Sequence, residues 1–179
     1  MIASSPLKQI YTMKKIIVMI ALSVAISLTT NAQSDVAKRE HNNNLKAYFA
    51  VKNGLAKDNA SVASEGAKIL ADNIAKFPVK TLNAAQQVVW NGEAETVKKM
   101  AGSIATEKAI KEQRKSFWTL SMAMIKLTKS LNMNNDIVYV QYCPMAKKSW
   151  LNEVEDVQNP FYGSMMYDCG EVTETIVKK

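Results

Sequence analysis

From residue 45 to residue 131 the apolar positions return every three or four residues, the period of a helix with one buried face. Leu45, Tyr48, Phe49, Leu55 and Ala56 share a face of a first helix. Asp58-Asn59 interrupts it with turn and N-cap chemistry. Ala63, Ala67, Leu70, Ile74 and Phe77 predict a second helix, ended by Pro78, which cannot continue the backbone ladder. Thr81 is the expected cap of a third helix from Leu82 to Trp90. Gly92 predicts a break or kink, after which Ala94, Val97, Ala101 and Ile104 resume the period. Thr106 is the expected cap of a last helix. There Ile110, Gln113, Phe117, Leu120, Met124, Leu127 and Leu131 alternate steps of three and four, the spacing of a bundle seam. Asn132, Asn134 and Asn135 end it.

The period then changes. "DIVYVQYC" (136–143) is β-branched and aromatic and predicts a strand. "NPFYG" (159–163) predicts a turn, and "MMYDCGEV" (165–172) a returning partner strand. The expected fold is mostly α: an antiparallel bundle of about four helices over residues 33–134, as short connections require. A small C-terminal β-containing cap over residues 135–179 completes the same domain.

The N-terminus changes the picture of where the chain works. Lys14-Lys15 precede the apolar run "IIVMIALSVAISL" (16–28), and Thr30 and Ala32 supply small residues for cleavage. This reads as a secretory signal over residues 1–32, since the run is too short for a membrane span. An uncleaved membrane anchor is the alternative. A start at Met13 would make residues 1–12 an artefact of start-site choice. The expected mature chain begins near Gln33, carries no membrane span, and is periplasmic or secreted. Losing Lys8, Lys14 and Lys15 lowers the formal charge of +7 to a mildly basic value. No basic stripe with interleaved aromatics exists, so nucleic acid is not an expected partner.

Catalytic parts are missing, and no enzyme is expected. The single histidine, His41, lies in the polar stretch "EHNNN" and reads as solvated. Glu153, Glu155 and Asp156 read as a solvated acidic loop. No phosphate loop or zinc spacing is present.

The sulfurs stand apart. Cys143 and Met145 fall in one short segment, and Met165, Met166 and Cys169 in another that antiparallel pairing would bring beside it. Thiolate and thioether donors select soft ions, Cu(I) above all. Equally, a secreted chain with two cysteines can oxidise them to one disulfide. Closing that loop would contribute about 3.5 kcal/mol in the chain-entropy model. In that reading the protein is a non-catalytic interaction module without metal. Tyr142, Trp150, Phe161 and Tyr162 then form its contact surface or the core of the cap.

"YCPMAKKSWL" (142–151) and "VQNPFYGSMMYDCGEVTETI" (157–176) resemble the signature of the domain of unknown function 3347 family. "EQRKSFWTLSMAMIKLTKSL" (112–131) resembles the last helix of that family. The family occurs in secreted bacterial proteins and as an appendage on periplasmic adaptor subunits of heavy-metal efflux systems. The resemblance implies a periplasmic role near copper or other heavy-metal handling, with an efflux adaptor or other periplasmic protein as partner. It makes Cys143, Met145, Met166 and Cys169 the matched motif positions. Two departures stand out. The stretch from Met145 to Trp150 is shorter than in many members. Gln86 and Gln87 also stand where some members carry a histidine ahead of the tryptophan matched by Trp90.

Overall fold

The computed structural model describes residues 35–178, and the segment read as a signal lies outside them. Four helices come first: α1 (35–56), α2 (Ala60–Lys76), α3 (Ala84–Thr106) and α4 (Ile110–Leu131). Three strands follow, β1 (Val138–Cys143), β2 (Lys148–Asn152) and β3 (Glu171–Ile176), in the antiparallel order β2-β1-β3. The protein is a helical bundle with a small C-terminal β cap. From Ala37 onward the chain is one compact unit. No helix among the described residues is long and apolar enough to cross a membrane.

The helices run up and down because their connections are only a few residues long. Side chains tie opposite ends together. Ser64, early in α2, donates to the carbonyl of Ile104 at the end of α3 (3.2 Å), and Gln86, early in α3, donates to that of Leu131 at the end of α4 (3.0 Å). Arg114, early in α4, donates to the carbonyl of Leu55 at the end of α1 (2.7 Å). Gly66 sits where a Cβ would come within 2.9 Å of the Val51 backbone, so α2 packs closely on α1.

The seam of α4 is buried as its spacing predicts, from Gln113 through Phe117, Leu120, Met124 and Leu127 to Leu131. Helix ends and breaks differ from expectation in three places. Gly92 does not break α3; the helix runs through it, and glycine there is tolerated because flanking turns hold the ladder. Asn83, not Thr81, caps α3, through a box in which Asn83 Oδ1 accepts from Gln86 N and Gln86 Oε1 accepts from Asn83 N. Thr106 is the last residue of α3 rather than a cap; its hydroxyl bonds back to carbonyls of its own helix, and the N-cap of α4 is Ala109, with no side-chain cap bond.

The cap also differs in detail. β2 was not foreseen, and the returning strand is Glu171–Ile176, later than the methionines, which lie in a 3-10 turn (Gly163–Met166). An edge strand leaves half its backbone groups unpaired. Here the outer edge of β2 is closed by bundle side chains: Leu151 N donates to Tyr48 Oη (3.0 Å) and Ser121 Oγ donates to Ser149 O (3.2 Å). Tyr48 and Ser121 are themselves 2.6 Å apart, so one polar pair inside the bundle docks the sheet.

Candidate functional site

Cys143 is the last residue of β1. Pro144 follows, and the chain turns back so that Lys147 N donates to Cys143 O (2.8 Å) and Lys148 pairs opposite Cys143. Proline fixes its own φ and pushes the preceding residue toward extended backbone, so Cys143 is held in strand geometry at a stiff corner. Cys169 arrives from the other side on the loop between β2 and β3. Asn159, fully buried, pins that loop at both ends. Its side chain donates to Cys169 O (2.8 Å), its backbone N donates to Tyr167 O (2.7 Å), and its Oδ1 accepts from Phe161 N (2.8 Å). Gly170 then passes so near the sheet that a Cβ would lie 2.9 Å from Tyr142 O and 3.0 Å from the Trp150 ring. Its φ of +153° is one that side chains rarely adopt.

These constraints bring the two sulfurs within 3.1 Å of each other as free thiols. Cys143 is buried and Cys169 half-buried. Burial raises the Cys143 thiol, but hydrogen bonds from Cys169, from the backbone of Ala146 and Met145 and from Asn159 outweigh it and hold Cys143 below the ordinary thiol value. Cys169 is pushed up, first because it is hydrogen-bonded to Cys143 and then by burial. Of the pair, Cys143 is therefore the first to become a thiolate.

The methionines that neighbour this pair along the chain differ in exposure. Met145, on the turn after Pro144, is 65% exposed and Met165 is 78% exposed, while Met166 is half-buried. The Met145 carbonyl accepts from Tyr162 Oη (3.4 Å), which joins the β1–β2 turn to the loop that carries Cys169. No group of three or more His, Cys, Asp or Glu residues poised for a metal exists among the described residues. Any further soft donors to an ion on Cys143 and Cys169 would be thioethers. Exposed methionine side chains with three rotatable bonds are free to supply them.

The aromatics divide. Trp150 and Phe161 are not surface residues: they are buried, 5.9 Å apart edge to face, and Phe161 continues to Phe117 of the bundle (5.7 Å). Rings of that size stabilise the cap most when removed from water. Tyr142 and Tyr162 stay half-buried at the surface. Lys148, opposite Cys143, lays its ammonium over the rings of Phe161 (5.0 Å) and Trp118 (5.5 Å).

Two polar residues were misread or missed. His41 is not solvated; it is 1% exposed, and burial lowers its pKa to about 4. Lys52 is fully buried. Its ammonium donates to Asn152 Oδ1 (2.5 Å) and Gln158 Oε1 (2.6 Å) and pairs with Glu153 (3.1 Å). Glu153, half-buried, is thus tied to a buried lysine, while Glu155 and Asp156 are exposed as expected. The signal was present in the spacing: His41, Leu45, Tyr48, Lys52 and Leu55 form one three/four seam, so both polar residues lie on the buried face of α1. Gln86 and Gln87 are spent on structure, the first on the α3 cap and Leu131 O, the second on Leu82 O (2.7 Å).

Residues 45–136 match the model of a family described as "Protein of unknown function (DUF3347)". The matched range runs from the middle of α1 through α4 and ends before β1, so both cysteines lie beyond it. Neither a curated protein nor a solved structure matches the chain.

Proposed function

The chain belongs to the DUF3347 family, whose description assigns no activity, and we propose that its cap binds Cu(I) or another soft metal ion. The observation that carries this reading is the 3.1 Å approach of two free thiols, one of them favoured as thiolate, on a turn that also projects Met145. Cys143 and Cys169 are the thiolate donors. Met145 and Met166, with Met165 beside them, are the thioethers in reach of the same corner along the chain. A bound ion would offset the thiolate charge, Cu(I) in part, and link the β1–β2 turn to the loop after Asn159.

The protein acts, in this reading, in the periplasm or outside the cell after removal of residues 1–32. Its partner is a heavy-metal efflux adaptor or another periplasmic protein that exchanges the ion, and no catalysis is involved. A second reading has its own support: Cys143 is fully buried in contact with Cys169, as in a structural disulfide of a non-catalytic interaction module. Tyr142 and Tyr162 are then the aromatic contact residues at the surface.

Free-thiol titration of the purified protein, with and without Cu(I), separates the two. Two reactive thiols that copper protects support the metal site. The absence of free thiols, or thiols that copper leaves reactive, supports the module.

A further inference from the structure

We propose that Cys143 and Cys169 form a reversible thiol–disulfide exchange pair of fixed polarity, in which half-buried Cys169 meets the external reactant and buried Cys143 closes or leaves. This function does not depend on a metal ion.

Three features of the cap carry it. The sulfurs are 3.1 Å apart without a bond, so closure to a disulfide near 2.05 Å requires only about 1 Å of approach. The reduced geometry does not rely on that bond. Asn159 holds the Cys169 loop through its own hydrogen bonds, and the Lys147 N to Cys143 O bond holds the opposite turn. A pair that stays in place when open can close and reopen without refolding the cap. Finally, the two sulfurs differ in access. Cys143 is sealed beneath the β1–β2 corner, whereas Cys169 is half-buried between exposed Asp168 and Gly170.

The exchange balances with an external disulfide as oxidant. Access, not ease of ionisation, selects the nucleophile: Cys169, the sulfur an external disulfide can reach, attacks it as the thiolate; a mixed disulfide forms and one external thiolate leaves. The Cys143 thiolate then attacks Cys169 Sγ, forming the Cys143–Cys169 bond and releasing the second external thiolate. The two protons lost from the protein thiols pass through solvent to the released thiolates. In reverse, an external dithiol attacks Cys169 Sγ and Cys143 departs as thiolate, accepting a hydrogen bond from Ala146 N (3.4 Å).

The test uses the purified protein freed of metal by a chelator, with glutathione disulfide as oxidant and dithiothreitol as reductant. Pulse alkylation of the reduced wild-type protein, read by mass spectrometry, should label Cys169 before Cys143. Glutathione disulfide should yield the internal disulfide, and dithiothreitol should reopen it without denaturant. Cys143→Ala should stop at a mixed disulfide on Cys169, and Cys169→Ala should react at least about tenfold more slowly. The proposal falls if Cys143 is labelled first or equally fast, if no internal disulfide forms, or if the disulfide reopens only in denaturant. The wild-type labelling order decides the question even if a variant fails to fold. Because no metal is present, failure here leaves copper binding untouched, and failure of copper binding leaves these outcomes unchanged.

Discussion

Lys52 Nζ lies 2.5 Å from Asn152 Oδ1, so a fully buried ammonium on α1 holds the last residue of β2. Asn152 in turn donates to Gln141 Oε1 (3.0 Å) and Asp156 O (2.9 Å), and Gln141 donates to Glu155 O (2.9 Å). The start of the loop after β2 is thus tied to the bundle around a buried charge. Lys52→Met keeps the apolar stem and removes that charge, leaving Gln158 without its donor and Glu153 with only the Asn53 amide (2.6 Å). The expected cost is about 2–4 kcal/mol in urea unfolding, since a buried polar group stripped of its partner retains its desolvation penalty. A loss below about 1 kcal/mol would mean that the network reorganises or that water replaces the ammonium.

His41 makes the protein acid-sensitive in a window of its own. Burial depresses its folded pKa to about 4 from the 6.5 of an exposed imidazole. Between those values the unfolded chain binds the proton and the folded chain does not. Stability is therefore full above pH 6.5 and declines as pH falls toward 4. A shift of this size corresponds to roughly 3 kcal/mol. Because the chain has one histidine, its imidazole proton resonances can be followed unambiguously in native protein. A midpoint near 6.5 would show that solvent reaches the ring.

Asp58 acts lower on the pH scale. Hydrogen bonds from Ser164 and then from Arg114 hold its carboxyl down at about 2. Arg114 also donates to Pro160 O (2.9 Å), so the ion pair clamps the loop that carries Cys169 onto the end of α1. The sign is that of a depressed acid: the contribution is present above the unfolded pKa of 3.8 and lost as pH falls toward 2. Asp58→Asn should flatten that part of the stability curve while leaving the His41 limb in place. Thermal melts of both proteins from pH 6 to 2 test it; unchanged acid limbs in the variant would remove the clamp.

The helices were legible because one face of each is buried against the others, and burial on one face writes a three/four period into the sequence. The α4 seam survived without a change. What failed was decided by partners far along the chain. Lys52 meets Asn152 and Glu153, and no local pattern announces a residue about 100 positions away. β2 (Lys148–Asn152) carries Trp150 and Leu151 side by side, both buried, which erases the alternation that marks a strand. Its outer edge is satisfied by Tyr48 and Ser121, so nothing in its own composition had to blunt it. The approach of Cys143 to Cys169 was foreseen from strand pairing. In the fold it arises instead from Asn159 pinning the loop and from Gly170 passing against Tyr142 O, while β3 begins only at Glu171.

Met145 separates a soft-metal site from a staple. Its side chain is 65% exposed, so it contributes little to the core, and Tyr162 contacts its backbone carbonyl, which substitution leaves in place. Met145→Leu should therefore leave the thermal midpoint nearly unchanged; even at buried sites such swaps usually cost under about 1.5 kcal/mol. Thiol–disulfide exchange, which uses only Cys143 and Cys169, should also proceed at the wild-type rate. Copper affinity should respond differently. Replacing a thioether donor by a hydrocarbon leaves the ion one ligand short, and the expected weakening of Cu(I) binding is at least about tenfold, or 1.4 kcal/mol. Competition against a Cu(I) chelator on reduced protein measures it. Equal affinities would remove Met145 from the site and move the thioether role to Met166 or Met165, each testable by the same substitution. Absence of Cu(I) binding in reduced wild-type protein would leave the cysteine pair without a metal, as a staple or an exchange pair, which the alkylation order of Cys169 and Cys143 tells apart.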